Sequence, residues 1–481
     1  PTIPLDSWIY PALDKLAGLG LVDSALQGSR PFSRLEAARL TREARDRADT
    51  SLPPPVALET LRRLERELAD ALADLAGNAG STFRPLREAR LDYLYQEGAP
   101  ATTRGTNARQ FALNANNFGI DYDDGHNGQL TLAGDARLGS ALLVSLRPLA
   151  LLGDDGEADL RLLEGKVAVG LGPVEISVGR QALWWGQGRN GALVLTNNAK
   201  PLDMLRITNP TPATLPWLFK YLGPIRFDLF WSELESDRDD VDEPYFAGLR
   251  LNLKPARWLE LGASRTVMFG GDGIDVDWSD FVTILGGKNL EGGDDTSNSV
   301  AAVDARLRLP FLWGAELYGE LGGEDEAGAW ISRKAWLGGL YLPRLEPSGR
   351  LSLRLERADL TTMNDDGDVW YRHGLYTSGY TYGKKILGHQ VGGGARSLFG
   401  ELELRLPGDV NLTLGADYQE RGLSLPVQEK HFQPFAALEW ALHERLTLAA
   451  GYHFDRVRNA GYVDGAERED HLVRVGAVGK F

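Results

Sequence analysis

Residues 398–410 read LFGELELRLPGDV, and the order of apolar and polar side chains in this stretch indicates the fold. A pattern that repeats every two residues predicts a β-strand, because successive side chains of a strand point to opposite faces. The residues that follow, 407–410, predict a tight turn. One face holds Leu398, Leu402, Leu404 and Leu406, and the other holds Phe399, Glu401, Glu403 and Arg405.

The same alternation recurs in 225–232, 313–321 and 446–453. One face of each strand is apolar, and the other carries charged and small polar groups. A soluble sandwich would have to bury every apolar face against a second sheet. Since nearly every strand keeps the pattern, with aromatic residues near strand ends, the sequence predicts an all-β membrane protein with a lipid-facing exterior and a polar lumen.

The links between the strands alternate between short and long. Short links with longer polar links between them are typical of outer-membrane barrels, whose periplasmic turns are short and whose outside loops are long. Counting back from the C-terminus to residue 107 predicts about eighteen antiparallel strands, with both ends of the barrel in the periplasm. Residues 84–97 would be a nineteenth strand. Because both ends of the barrel lie in the periplasm only when the number of strands is even, these residues are assigned to the plug inside the lumen. The barrel is therefore predicted over 105–481, with 81–104 as a connecting segment.

In residues 1–80 the apolar side chains recur with the period of a helix instead. After Pro53-Pro54-Pro55, leucines recur at steps of three and four up to Gly77. Ser33 and Glu36 have the spacing of a capping box at the start of another helix. This pattern predicts a small helical bundle at the periplasmic end of the barrel.

Composition excludes several classes of protein. The 481 residues include 67 acidic and 52 basic ones, a net charge of −15 that disfavours nucleic acid as a partner. There is no cysteine, which excludes disulfides and Cys-based metal sites. No uncharged apolar run approaches the roughly 18–20 residues of a membrane helix. The chain lacks an initiator Met and a signal peptide, so we expect a processed form.

The C-terminus predicts how the barrel reaches its membrane. Alternating apolar residues lead to a terminal aromatic, Phe481. This ending resembles the signal read by the bacterial outer-membrane insertion machinery.

Three long links predict the functional region. Residues 179–210, 263–280 and 370–396 are rich in glycine, with Trp, Tyr, Asn and Arg interspersed. Flat aromatic faces and amide or guanidinium donors suit a carbohydrate, although the same rings could instead pack against one another inside the lumen. The predicted carbohydrate contacts are Trp184, Trp185, Arg189, Asn190, Trp370, Tyr371, Tyr376, Tyr380 and Lys384.

These segments resemble the Wzi family of outer-membrane capsule-assembly proteins along essentially the whole chain. The resemblance implies a large barrel with a periplasmic helical bundle and long loops that plug the lumen. It also implies a lectin-like role in holding capsular polysaccharide at the cell surface. Gln187 stands where family loops usually have a proline. The matching motifs are Trp184-Trp185-Gly186 with Gly188, residues 196–201 (TNNAKP), Ser264-Arg265-Thr266 with Gly270-Gly271, and residues 376–389.

The sequence gives little support for a catalytic site or a metal site. The seven histidines form no zinc-binding pair, and no serine lies in a nucleophile motif for His389 or His453 to serve. The acidic runs lack the spacing of a calcium loop. Inward glutamates such as Glu316 and Glu320 are expected to pair with inward arginines such as Arg354. The sequence therefore predicts neither an enzyme nor a cofactor or metal.

The leading interpretation is an outer-membrane glycan-binding protein that retains or organises capsular polysaccharide or exopolysaccharide. Its expected partners are that polymer, outer-membrane lipid and lipopolysaccharide, the insertion machinery, and as a further candidate a polysaccharide export protein. The alternative is a channel for saccharides or charged solutes, because a row of inward arginines could form a selectivity constriction. An outer-membrane hydrolase is a third hypothesis. The arginines of the alternative are Arg226, Arg250, Arg354, Arg405 and Arg474.

Overall fold

The computed structural model describes residues 1–78, 80–274, 297–324, 333–361 and 369–481. Within these residues, 18 antiparallel strands close into one barrel, as the sequence predicts. The barrel strands, in chain order, are β1 (Thr82–Glu97), β2 (Gly125–Leu138), β3 (Leu142–Leu152), β4 (Ala158–Leu171), β5 (Val174–Gln181), β6 (Leu202–Thr208), β7 (Pro224–Glu233), β8 (Tyr245–Ala256), β9 (Leu259–Phe269), β10 (Ser297–Leu309), β11 (Ala315–Glu324), β12 (Ala335–Leu342), β13 (Leu351–Asp359), β14 (Ala395–Leu406), β15 (Val410–Arg421), β16 (Glu429–His443), β17 (Leu446–Arg458) and β18 (Glu467–Lys480).

Strand β1 closes the barrel. It pairs with β18 from Glu88↔Lys480 to Glu97↔His471, and on its other edge it pairs with β2. The prediction that residues 84–97 lie outside the barrel is therefore wrong, although the predicted number of strands is confirmed.

The strand positions differ from the prediction in two places: the first strand does not begin near residue 107, and the predicted link 183–213 contains a strand. Residues 98–124 contain only a two-residue hairpin (Ala101–Thr102 with Arg109–Gln110) and one helical turn, and they pack on the lumen loops instead of joining the wall. Strand β6 lies inside the predicted long link 183–213. Residues 98–124 bond to the lumen loops, for example from the Phe118 N–H to the Asn197 carbonyl at 2.7 Å, and the place in the wall is taken by β1.

The burial of side chains is the reverse of that in a soluble protein. Leu398 on the outer face is 51% exposed, whereas Glu403 on the inner face is 8% exposed. Inward charges form buried ion pairs, such as Arg206 Nε to Asp228 at 2.6 Å. This distribution confirms the predicted apolar exterior and polar interior of the barrel wall. Phe481 lies on the outer surface and is 71% exposed.

Residues 1–78 form a helical unit, as predicted. Its helices are α1 (Ile9–Gly18), α2 (Arg34–Ala48), α3 (Pro55–Glu67) and α4 (Ala69–Ala73), followed by a last turn, Asp74–Asn78. The Ser33 hydroxyl caps α2 by accepting the Glu36 N–H at 3.0 Å. In the described part of the chain no helix is both long and apolar enough to cross a membrane.

The helical unit fills the end of the barrel that carries the short turns. Lys15 Nζ donates to the Pro343 carbonyl at 2.5 Å, in the link between β12 and β13. Arg63 pairs with Glu439 of β16 at 2.6 Å. Residues 27–31 reach deeper, where the backbone N–H of Gly28 donates to Glu260 on the wall at 2.8 Å. The lumen is thus occupied from this end by helices.

Candidate functional site

The loop between β5 and β6, residues 182–201, folds into the lumen and is called the inner loop. A single wall carboxylate holds its glycine-rich bend. Glu320 of β11 accepts three backbone N–H groups, from Gln187 at 2.7 Å, Gly188 at 3.0 Å and Leu193 at 2.9 Å. Three hydrogen bonds to one carboxyl group fix the bend of the loop against the wall. The prediction that Glu320 pairs with an inward arginine is wrong. Its carboxyl group instead accepts the backbone N–H groups of the bend.

Gln187 fits the position where family loops usually have proline. Its backbone N–H reaches Glu320, a bond that proline could not make. Its side-chain Nε2 donates to Asp304 at 2.7 Å and to Glu260 at 3.1 Å, and its Oε1 accepts from Arg306 at 2.9 Å. The side-chain amide therefore joins the loop to buried charges on two neighbouring strands of the wall, β9 and β10.

A second loop, between β13 and β14, closes the opposite end; its described part, residues 369–394, is called the upper loop. The rings of Tyr371 and Tyr380 stack at 5.5 Å and 14°. The Tyr371 hydroxyl donates to the Leu193 carbonyl at 2.7 Å, and the Tyr380 hydroxyl donates to the Val194 carbonyl at 3.0 Å. These rings clamp the upper loop to the inner loop. Four aromatic side chains of the upper loop have no solvent exposure: Trp370, Tyr371, Tyr376 and Tyr380.

The nine predicted carbohydrate contacts separate into three groups. Lys384 is exposed at the turn of a short hairpin. Three others, Trp184, Arg189 and Asn190, border cavities in the lumen. A ligand has no access to the remaining five in this arrangement, which gives them a packing role; they are Trp185, Trp370, Tyr371, Tyr376 and Tyr380.

Two adjacent cavities lie along the inner face of β14–β17. The upper one borders the inner loop and residues 112–116, and the lower one borders the helical unit and the inner loop. The upper cavity has a volume of about 220 Å³ and the lower cavity about 440 Å³. Glu356 positions the inner loop above them by accepting the backbone N–H groups of Arg189 at 2.7 Å and Asn190 at 3.0 Å. Of the amides of the upper cavity, only Asn190 is among the predicted contacts, although Gln419 and Gln433 also occupy inward positions of the strand alternation. The amides that line the upper cavity are Asn116, Asn190, Gln390, Gln419 and Gln433.

The two histidines considered as catalytic bases have packing roles. His389 is fully buried, and burial lowers its pKa to about 3, which makes it a weak base. His453 stacks on Phe435 with the ring centres 5.3 Å apart. The described ranges contain no group of three or more Asp, Glu or His side chains that could hold a metal ion. The acidic runs 291–295 and 364–368, and most of 272–280, lie outside the described residues.

Comparison with known proteins gives three findings. A family model described as capsule assembly protein Wzi matches residues 94–472. Over 171 residues, the chain is 32% identical to an uncharacterized 55.8 kDa protein in the cps region of Klebsiella pneumoniae; the match covers 34% of this chain and only about a third (33%) of that relative. The third similarity is structural, to Wzi of Escherichia coli, with a TM-score of 0.77, 19% identity, and coverage of 100% of this chain and 99% of the other.

The Escherichia coli protein is an outer membrane protein involved in group 1 capsule assembly and a carbohydrate-binding β-barrel. At 19% identity, the likeness between the two structures shows a shared fold. The fold extends to the helical unit, because the superposition covers the whole chain.

Proposed function

This chain belongs to the Wzi family of capsule-assembly proteins, and we propose that it binds capsular polysaccharide or exopolysaccharide and retains it at the cell surface. The chain is an integral outer-membrane β-barrel, with the apolar exterior that this location requires. We orient it with the long loops outside, and with both chain ends and the helical unit in the periplasm. Outer-membrane lipid and lipopolysaccharide then surround the wall.

The observation that carries this proposal is that Arg189 and Asn190 line the amide-rich upper cavity and that Trp184 lines the adjoining lower cavity. Amides both donate and accept hydrogen bonds, which suits sugar hydroxyls. The carbohydrate binding of the Escherichia coli relative supports the same ligand class. A repeating polymer presents many copies of one unit, so weak binding by many barrels would retain it firmly through effective concentration.

Two further partners follow from this orientation. Phe481 would be read by the outer-membrane insertion machinery before the barrel closes. The face of the helical unit that points away from the barrel would be available to a polysaccharide export protein.

Binding of the purified protein to the producing cell's own capsular polysaccharide tests the proposal. We expect Trp184→Ala and Arg189→Ala to weaken binding severalfold, because both side chains border the lumen cavities. Trp217→Ala is the control, since Trp217 is 87% exposed on the link between β6 and β7 and lines neither cavity. Tyr380→Ala, in contrast, should weaken binding by loosening the upper loop. A wild-type protein that binds no saccharide would refute the proposal.

A further inference from the structure

The link between β6 and β7 carries a run of exposed apolar side chains. Residues 215–222 read LPWLFKYL. Leu218 is 80% exposed, although a leucine in a soluble protein is usually buried. An exposed apolar run of this kind marks a surface that contacts a membrane or another protein. The other exposed apolar side chains of the run are Leu215, Trp217, Phe219, Tyr221 and Leu222.

This run forms the tip of the hairpin between β6 and β7. Ala213 pairs with Ile225 just before the tip, and residues 217–222 form a short helical turn. The chain is left-handed at both ends of that turn, at Trp217 (φ 61°) and Gly223 (φ 70°). A Cβ at residue 223 would collide with the Lys254 carbonyl, so only glycine lets the chain pass this close to β8. The tip is thus held in a defined conformation.

The helical unit shows at which end of the barrel the tip lies. Ser33 Oγ of this unit donates to the Pro210 carbonyl at 3.0 Å, at the start of the link that carries the tip. The neighbouring strands contact the same unit. Lys254 Nζ of β8 donates to the Ala25 carbonyl at 2.8 Å, and Arg308 of β10 pairs with Asp23 at 2.6 Å. The tip therefore lies at the end with the short turns.

The next two turns along this rim are apolar as well. Trp258 is exposed in the turn between β8 and β9. In the turn between β10 and β11, Phe311 is 78% exposed, and Leu312 and Trp313 are exposed beside it. We call residues 215–222, 258 and 311–313 the apolar arc. It is continuous with the lipid-facing wall, where the outward leucines of β8, β9 and β11 are exposed, namely Leu251, Leu261 and Leu317.

The following three turns of the rim are charged. They join β12 to β13, β14 to β15, and β16 to β17. The Glu444 side chain, in the last of these turns, is 65% exposed. The exposed apolar surface is therefore concentrated on one part of the rim and does not form an even belt. The charged residues of these turns are Arg344, Glu346, Arg350, Asp409, Glu444 and Arg445.

The residue types of the apolar arc favour lipid as its partner. Trp and Tyr are enriched at the level of lipid headgroups, because each ring has an apolar body and a polar group. Lys220 lies within the run, with its ammonium group 5.2 Å from the Tyr221 ring. A lysine can lay its stem along apolar groups while its ammonium group reaches a phosphate. Since the arc also continues the lipid-facing wall, phospholipid is the partner that its position and chemistry both fit.

We propose that the apolar arc is an interfacial membrane anchor in the periplasmic leaflet. Trp217, Leu218 and Phe219 lie at the boundary between headgroups and acyl chains, and Lys220 Nζ lies beside a phospholipid phosphate. Because only one part of the rim is anchored, the arc sets the depth and tilt of the barrel. It also holds the contacting part of the helical unit close to the membrane. This inference is separate from polysaccharide binding and takes from the proposed function only the orientation of the barrel.

A fluorescent label on the tip tests the proposal. The chain has no cysteine, so Leu218→Cys introduces a single thiol for nitrobenzoxadiazole maleimide. The labelled full chain is reconstituted in vesicles of phosphatidylethanolamine with a quarter of phosphatidylglycerol. We expect lipid with a spin label near the headgroup end of its acyl chain to quench this label severalfold more than a label at Glu444→Cys. Glu444→Cys is the matched control, because it also lies in an exposed turn of the same rim.

Two further measurements guard against a local effect of Leu218→Cys. Phe311→Cys places the label on the neighbouring turn of the apolar arc, where we expect similarly strong quenching by the spin-labelled lipid. Iodide, present on both sides of the membrane, reports exposure to water. We expect iodide to quench the label at Glu444→Cys severalfold more than the labels at Leu218→Cys and Phe311→Cys.

Three results would overturn the anchor. The first is a label at Leu218→Cys that iodide quenches as strongly as the control. The second is a label shielded from both iodide and spin-labelled lipid, which would show that a protein covers the arc; a disulfide-linked dimer of unlabelled Leu218→Cys would identify that protein as a second copy. The third is equal quenching by lipid at all three positions, which would show an even belt. Polysaccharide binding by the same purified chain decides the proposed function independently.

Discussion

At the scale of single residues, the inner loop depends on acceptors supplied by the wall. Glu320 takes three N–H groups of the loop and Glu356 takes two. The alternation of β11 predicts that Glu320 points inward, but its partner is set by the bend of a loop far away in sequence. A single sequence does not contain that pairing, since any inward arginine would satisfy the same pattern.

We predict that Glu320→Ala lowers the free energy of unfolding by about 3 kcal/mol, because it leaves three buried N–H groups without an acceptor at about 1–3 kcal/mol each. Denaturant unfolding of the purified protein in detergent, followed by tryptophan fluorescence, measures the change. Glu467→Ala is the control, because the exposed pair of Glu467 with Arg456 should contribute less than about 1 kcal/mol. An equal effect of the two substitutions would contradict this role of Glu320.

At the scale of elements, the sequence predicts regular strands well and lumen segments poorly. The eighteen strands and their apolar outer faces follow from a period of two, which the backbone imposes on every strand. The prediction for β1 is wrong because the even number of strands was reached by counting the residues from about 107 as wall, which left 84–97 as a surplus strand. The five buried aromatic residues of the candidate site are of the types that stack on sugars, so the sequence predicts carbohydrate contacts. In the structure they pack against one another and the wall, which only the tertiary fold determines.

Lys15 on α1 gives the contact between helix and barrel a pH dependence. Burial, together with the nearby Arg405, lowers the pKa of Lys15 from 10.5 to about 7, against the opposing effect of Glu403 and Glu346. Between about pH 7 and pH 10.5 the unfolded chain binds more protons at this site, so the stability of the folded state should rise with pH. The rise should be complete near the unfolded pKa.

We predict that Lys15→Met removes this part of the rise in stability. Unfolding midpoints in denaturant at pH 7, 8.5 and 10 provide the measurement. Lys220→Met serves as the control, because Lys220 is exposed on the link between β6 and β7 and should leave the dependence unchanged. Parallel curves for wild type and Lys15→Met would contradict the assignment.

At the scale of the whole molecule, the barrel is filled from both ends. The helical unit occupies the end with the short turns, and the inner and upper loops meet in one buried core above it. The inward arginines that suggested a selectivity constriction are largely engaged; Arg250, for example, pairs with Asp304 at 2.7 Å. This arrangement favours a binding barrel over an open channel.

We predict that the purified protein in a planar bilayer gives no steady open conductance. The helical unit and the packed inner and upper loops occupy the lumen from both ends, which should leave ions no wide aqueous path. Protease protection of the reconstituted protein checks that it has inserted. A steady conductance of the inserted wild-type barrel would favour the channel hypothesis instead.

The most direct test of the central claim is the fraction of capsular polysaccharide that stays bound to cells from which this protein has been deleted. Our account predicts that total polymer is unchanged while the cell-bound fraction falls and polymer appears in the medium. The wild-type chain should restore the bound fraction. An unchanged cell-bound fraction, or a loss of polymer synthesis itself, would contradict retention of the polymer as the function of this barrel.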